Sequence, residues 1–483
     1  MTSTTARPAE LTGRIIRPDD IEYPVASAGY NLFFTHDPAV IVFAQETQDV
    51  VNALAWARQN NVAVRVRSGR HSLEGWSNVD HGIVIDVSEM KSATIDMASS
   101  TATVGAGLNQ LEAVTELGKA GIAAATGTEG TVGLVGATLG GGFGLLTRGF
   151  GMASDNLLAA EVVVASGSDG AEAIIVDEQN NPDLLWALRG AGNGNFGIVT
   201  SLTYHVHPLT QTIYITAGWP GLGDLAGVFD AWQRCGPYTD NRLTTQLEIN
   251  PGDVRLIGVL VAGSEAEAAQ LLAPILSVGT PTVSMTDANW ADTYAAFQVV
   301  TSEEAANWKF ASQFISEPFP AEAIDLIVSF MSKAFMSECN YFTNAFDGTV
   351  RNNEPSGGSA FAHRNSLYYA EPGAGWGGAR GELPVGRPAP PDPLTPVCLD
   401  WIAEFAEALA PYVNGAYTNV PNADMADWET AYWGPNVDRL RAIKAKYDPN
   451  NVFTFEQSIP PKRRSSLPLS IPLARPVRDA QTG

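Results

Sequence analysis

The chain is poor in cysteine, in histidine and in positive charge, and each shortage removes a class of function. Its three cysteines (Cys235, Cys339, Cys398) are odd in number, far apart and without CxxC spacing, which points to buried free thiols and against a disulfide framework. Six histidines form no cluster with ligand spacing, so no metal centre is expected. Basic residues number 29 against 52 acidic ones, a net charge of −23, and such a surface repels nucleic-acid phosphates and anionic lipids. No stretch reaches the ~18 apolar residues of a membrane span. Met1 to Glu10 has neither the basic start nor the apolar core of a secretory signal, so a soluble, cytoplasmic protein is expected. The Gly-x-Ser-x-Gly elbow of serine hydrolases is missing as well.

What is present is a globular composition, 45% apolar with only 17% charged. At 483 residues the chain is about three times a ~150-residue domain, which points to two domains and room to enclose a site. Up to Pro208 strands and helices mix. Strand patterns run over Pro38 to Val42, Val62 to Arg67, Gly82 to Asp86, Thr101 to Val104, Glu161 to Ala165, Ala173 to Val176 and Gly197 to His205. Helical spacing appears at Thr47 to Gln59 and Gly107 to Ala120. From Gln211 the texture changes to helices at Leu222 to Arg234 and Ser264 to Leu276 beside strands at Leu243 to Ile249 and Val254 to Val261, a sheet covered by helices. The Gly/Pro-rich run Gly373 to Pro396 reads as a long surface loop, with a lid as the other reading. Helices follow at Val397 to Leu409 and Pro435 to Lys446. The tail beyond Pro460, with Lys462-Arg463-Arg464, reads as a loosely held extension or a binding arm.

Two loops stand out chemically. Gly133-Leu-Val-Gly136-Ala-Thr-Leu-Gly140-Gly141-Gly142-Phe143-Gly144 is dense enough in glycine to bring backbone N–H groups close to an anion, or simply to form tight turns; it does not match GxGxxG. Arg65-Val66-Arg67-Ser68-Gly69-Arg70-His71-Ser72-Leu73-Glu74-Gly75 follows a strand and is cationic, as a diphosphate site requires. A lone histidine such as His71 is most simply a structural, hydrogen-bonded residue.

These loops, together with Asp155-Asn156, Asp183-Leu-Leu-Trp186-Ala-Leu-Arg189-Gly190, Gly194-Asn195-Phe196-Gly197, and Lys446-Tyr447-Asp448-Pro449-Asn450 through Gln457-Ser458-Ile459, resemble the berberine-bridge-enzyme-like branch of the vanillyl-alcohol-oxidase flavoproteins from about residue 36 to 460. The resemblance implies an α+β fold. A two-part FAD-binding domain (1–207 and 413–483) would hold an inserted substrate domain (208–412), an antiparallel sheet backed by helices.

It further implies FAD bonded covalently through a ring nitrogen of His71 to the flavin 8α-methyl. Arg67, Ser68, Gly69, Arg70, Ser72 and Gly75 would cradle it from one loop. Thr131, Gly133, Gly136, Gly140, Gly141, Gly142 and Gly144 would do so from the second, with Gly197, Val199, Tyr417 and Asn419 completing the cofactor site. Many relatives attach the flavin a second time through a cysteine; the matching position is Glu129, so a single bond at His71 is expected. Where several relatives place a histidine before the glycine run, this chain has Ala137.

Val132 matches the family's oxygen gate and implies an oxidase, although it also reads as an ordinary strand residue. Tyr417, in Tyr417-Thr-Asn419-Val420-Pro421-Asn422, is either a base or a packing residue hydrogen-bonded to flavin. Phe361-Ala362-His363-Arg364 and Tyr368 resemble a segment of the substrate-domain sheet that faces the flavin; His363 and Arg364 also read as plain hydrogen-bonded sheet residues. The implied reaction is hydride transfer from a small alcohol or amine, secondary-metabolite or alkaloid-like, to flavin, with O2 reduced to H2O2. A sugar oxidase, a dehydrogenase with another acceptor, and a flavin binder without turnover are the alternatives. The expected partners are the substrate and O2, with no nucleic acid or membrane, in a monomer or homodimer.

Overall fold

The protein is described here from a computed structural model covering residues 9–300, 302–383 and 392–461. The tail residues Lys462-Arg463-Arg464, and 384–391 within the Gly/Pro-rich run, lie outside the described residues. Helices and sheets are both abundant and largely segregated, an α+β fold.

The first sheet places strands Val40–Phe43 and Val64–Arg67 parallel to either side of Ile83–Asp86, with Arg14–Ile16 antiparallel at one edge. Every residue of Val40–Phe43 and Ile83–Asp86 is buried, as parallel strands covered on both faces require. Helix Thr47–Gln59 makes the crossover. Asp49 accepts the Gln45 N–H at 2.9 Å at its start, and Val50, Ala53, Leu54 and Ala57 form its buried stripe at i, i+3, i+4, i+7. That helix packs against the second sheet, which is antiparallel and runs in the order Ala93–Asp96, Thr101–Gly105, Ile198–His205, Leu157–Ser166, Gly170–Val176.

The third sheet has eight antiparallel strands, ordered Thr282–Ala288, Thr212–Pro220, Asp253–Val261, Leu243–Asn250, Cys339–Ala345, Tyr368–Ala379 and Ala305–Phe310, with Gln313–Ile315 also on Tyr368–Ala379. Helices Leu225–Cys235, Glu265–Leu276, Ala321–Ser332 and Thr395–Leu409 cover one face and share one apolar core with it. The other face turns to the rest of the chain. Residues 40–206 and 416–459 build a separate core, so the chain after Gly415 returns to pack with the N-terminal sheets through Trp433, Leu440 and Ile443.

The stretch Gly373 to Ala379 is strand, not the surface loop expected from its glycines. Glycine is needed there because neighbours crowd the backbone. A Cβ on Gly373 would sit 2.6 Å from Asn340 Oδ1 and 2.7 Å from the Phe310 ring, and one on Gly375 would lie 2.8 Å from the Trp308 ring.

Candidate active site

Register sets the first wall of the site. Parallel pairing puts Arg67 beside Asp86 at the carboxyl ends of their strands, and the loop Ser68 to Gly75 leaves from that edge. Arg67 Nε donates to Asp86 Oδ2 at 2.7 Å with both side chains buried, and Nη2 donates to the Ala26 carbonyl. Nη1 is buried without a partner among the described residues. Ser68 Oγ donates to the Ala106 carbonyl at 2.7 Å. Arg70 holds a left-handed φ of 65°, strained for a residue with a side chain, and burial lowers its pKa to about 10.

The second loop meets the first at a backbone-on-backbone contact. A Cβ on Gly69 would fall 2.1 Å from Gly133 N, so neither neighbour tolerates a side chain. Gly133 opens the helix Leu134–Gly140, and among the described residues the N–H groups of Val135 and Gly136 have no acceptor. Between the loops runs a cleft of about 1300 Å³, counting its open mouth. Arg67, Ser68, Gly69, Arg70, His71, Ser72, Val132, Gly133, Gly136, Gly197, Val199 and Asn419 all line it, so residues far apart in sequence converge on one site.

Other residues expected to contact the cofactor are not on the wall of this cleft. Gly140, Gly141, Gly142 and Gly144 sit behind the cleft wall. A Cβ on Gly140 would strike Asn419 Oδ1 at 2.1 Å, Gly141 and Gly142 take φ of 136° and 72°, and Gly144 abuts the Thr126 carbonyl. These glycines make the turn that seats Asn419 and Tyr417. Gly75 (φ 72°) packs on Phe34 beside a separate, smaller recess. Glu129 and Thr131 stand behind His71 rather than on the wall.

His71 is held on two sides. Its ring stacks on Tyr30 with centroids 4.0 Å apart, and Nε2 lies 2.8 Å from Thr131 Oγ1. Burial, with Arg380 adding to it, lowers its pKa to about 3, so the imidazole is neutral at ordinary pH. Thr131 Oγ1 and N both donate to Glu129 Oε1, at 2.8 and 3.0 Å.

Tyr417 is buried where the third sheet meets the chain around it, at a junction formed with Phe143, Phe314 and Tyr369. Its Oη accepts from Gly142 N at 2.9 Å and from Asn419 Nδ2 at 2.8 Å, and burial raises its pKa well above the usual tyrosine value. Asn419 Nδ2 also donates to the Ala137 carbonyl, while Asn419 Oδ1 is buried and has no partner among the described residues.

The segment Phe361 to Arg364 is a loop preceding the strand, not part of the sheet. His363 stacks on Phe314 at 4.2 Å, its Nε2 pairs with the Tyr432 carbonyl at 3.1 Å, and burial lowers its pKa to about 4. Arg364 is paired with Asp155. Tyr368 faces away from the junction: its hydroxyl reaches Gln233 Oε1 at 3.3 Å and its ring packs on Trp232 and Phe319 in the helix-covered core. Successive strand residues point to opposite faces, and the junction side belongs to Tyr369 and Glu371.

Those two were missed by sequence reasoning. Tyr369 packs on Phe143 and Tyr417, and its hydroxyl donates to Glu371. Burial drives the Glu371 carboxyl up to about pKa 7, opposed by that hydrogen bond. Register aligns Glu248, Phe342 and Glu371 across three adjacent strands, with burial also raising Glu248. The i, i+2 spacing of Tyr369 and Glu371 was the available signal, concealed by the glycines that follow.

The residues present fit FAD. Arg67 Nη1 and the free N–H groups of Val135 and Gly136 suit a diphosphate, the Gly69–Gly133 contact shapes a narrow floor, and Asn419 Oδ1 offers an acceptor. Among the described residues no group of His, Cys, Asp and Glu could hold a metal, and no helix is long and apolar enough to cross a membrane.

Comparison with known proteins agrees with this geometry. The FAD binding domain family matches residues 38–168, and the "Berberine and berberine like" family matches 416–460. The uncharacterized FAD-linked oxidoreductase YgaK of Bacillus subtilis is 38% identical over 94% of this chain and 98% of its own. Among solved structures, the BBE-like 1 protein of Physcomitrella patens superposes with a TM-score of 0.83 at 27% identity, covering 93% of this chain and 97% of that one. The 6-hydroxy-D-nicotine oxidase of Arthrobacter nicotinovorans does so with 0.81 at 26% identity, covering 95% and 100%. A paired arginine, an anion-ready helix start and a histidine facing one cleft thus sit in a chain that belongs to the berberine-bridge-enzyme-like family of FAD-linked oxidoreductases.

Proposed function

We propose that this FAD-linked oxidoreductase is an oxidase of a small amine, with FAD attached through His71 alone and with Glu371 as the group that receives the substrate proton. The observation that carries the reading is the Tyr369–Glu371 pair: a carboxyl held near pKa 7 on the sheet face that meets Tyr417. A base works best when its pKa lies near the operating pH. As a carboxylate, Glu371 also attracts an ammonium, and the aromatic rings of Phe342 and Tyr369 beside it favour an organic cation. Tyr417 suits this role less well, because its oxygen already accepts two hydrogen bonds and burial opposes its ionisation.

FAD, when bound, would supply the acceptor for one hydride, that is two electrons and a proton, from the substrate carbon, and the two electrons would pass on to O2. The protein's own residues do the rest. Glu371 takes the N–H proton, Tyr369 donates the hydrogen bond that favours its carboxylate form beforehand, and Tyr417 holds Gly142 and Asn419 in place at the junction. The similar fold of an oxidase of 6-hydroxy-D-nicotine, itself an amine, supports the substrate class. The test is peroxide release in air across amines, alcohols and oligosaccharides. Turnover confined to amines agrees with the proposal; turnover confined to oligosaccharides contradicts it, and flavin reduction without peroxide would indicate a dehydrogenase.

A further inference from the structure

Glu129 occupies the position where many relatives carry a second flavin-linking cysteine, and it is wired to His71 instead. We infer that Thr131 and Glu129 form a proton path that holds His71 in the tautomer able to bond to FAD and accepts its Nε2 proton when that bond forms. The inference rests on the attachment through His71 proposed above.

The direction of the hydrogen bonds follows from the atoms. Glu129 Oε1 accepts the Thr131 backbone N–H at 3.0 Å, so it is placed as an acceptor, and the Thr131 hydroxyl 2.8 Å away donates to it. With its hydrogen committed, Thr131 Oγ1 offers only a lone pair to His71 Nε2 at 2.8 Å, so Nε2 carries the ring hydrogen. A neutral imidazole has one N–H. Nδ1 therefore keeps its lone pair, and among the described residues no group hydrogen-bonds to it. Tyr30, stacked at 4.0 Å, stops the ring from turning over its face.

The same arrangement manages the proton afterwards. Bonding at Nδ1 with Nε2 still protonated leaves an imidazolium, which both burial and Arg380 disfavour. In balance, one C–H bond of the 8α-methyl and the Nε2–H bond break, and the Nδ1–C bond forms. Two electrons and the methyl proton are left with the reduced flavin, the Nε2 proton goes to Glu129, and O2 takes up the two electrons and, in the end, both protons as H2O2. Thr131 carries the Nε2 proton toward Glu129 by accepting it on Oγ1 as its own hydrogen passes to Oε1. Both residues act through His71 and are positioning residues, consistent with their place behind the cleft wall.

The test uses the full chain produced in riboflavin-starved cells and then supplied with FAD. Flavin retained in acid-precipitated protein is followed over time, and total bound flavin is measured before acid. The parent should attach FAD covalently. Glu129→Gln and Thr131→Val should bind FAD but attach it more slowly, by roughly 10²-fold if proton transfer limits the step. Thr131→Ser, which keeps the hydroxyl, should attach at nearly the parental rate. Attachment as fast in Glu129→Gln and Thr131→Val as in the parent overturns the relay while leaving the His71 bond intact. A parent whose flavin is wholly freed by acid overturns the His71 bond, and the relay with it.

Discussion

Tyr369 donates its phenolic hydrogen bond to Glu371, two positions along the same strand face, and this bond is what keeps the Glu371 carboxyl from rising further than about pKa 7. The proton-accepting form of Glu371 accumulates as pH rises through that value. Substrate oxidation should therefore climb with pH through about 7 and level off above it. Tyr369→Phe removes the bond that favours the charged form, so the midpoint should move to higher pH. A stopped-flow profile of flavin reduction checks both, and an unchanged midpoint in the variant would separate Tyr369 from the titration.

Glu371→Gln keeps the shape and loses the base. Positioned general bases contribute ~10²–10⁴-fold, so flavin reduction should slow by about that factor and lose its rise with pH. Bound flavin, measured by its absorbance relative to protein, should stay at the parental level.

Gly69→Ala tests the floor of the cleft. Its Cβ would lie 2.1 Å from Gly133 N, and backbone cannot yield as a flexible side chain can. One loop must shift, and bound FAD per chain should fall sharply in the purified variant. Full loading would show that the two loops can part without disturbing the cofactor.

Tyr417→Phe leaves the Gly142 N–H and Asn419 Nδ2 without the oxygen they share. Buried donors stripped of an acceptor cost ~1–3 kcal/mol each, so thermal unfolding should start at lower temperature. Slowing of flavin reduction should be smaller than in Glu371→Gln. The reverse order would return the base role to Tyr417.

How much of this was legible in the sequence depends on the kind of signal. Helix Thr47–Gln59 was readable because its apolar stripe and its start are local, and the loops around His71 and Gly133 were readable from their residue types. The strand Tyr368–Ala379 was hidden because its glycines answer to Phe310, Asn340 and Trp308, residues distant in sequence. Without that strand its parity is invisible, so the sequence points to Tyr368 rather than to Tyr369 or Glu371. The glycines Gly140 to Gly144 show the complementary difficulty. Their density signals close approach, and the protein groups that approach are Asn419 and the turn beneath Tyr417. Glu129 was legible as the residue in place of a cysteine; its bond to Thr131, and through it to His71, is a property of the folded loop.

Peptide mapping of the purified protein by mass spectrometry tests the central claim most directly. A fragment containing His71 should be heavier by the mass of FAD less two hydrogens, and His71→Ala should give a colourless acid pellet with its flavin in the supernatant. An unmodified His71 fragment from yellow protein, or flavin on any other fragment, contradicts the account.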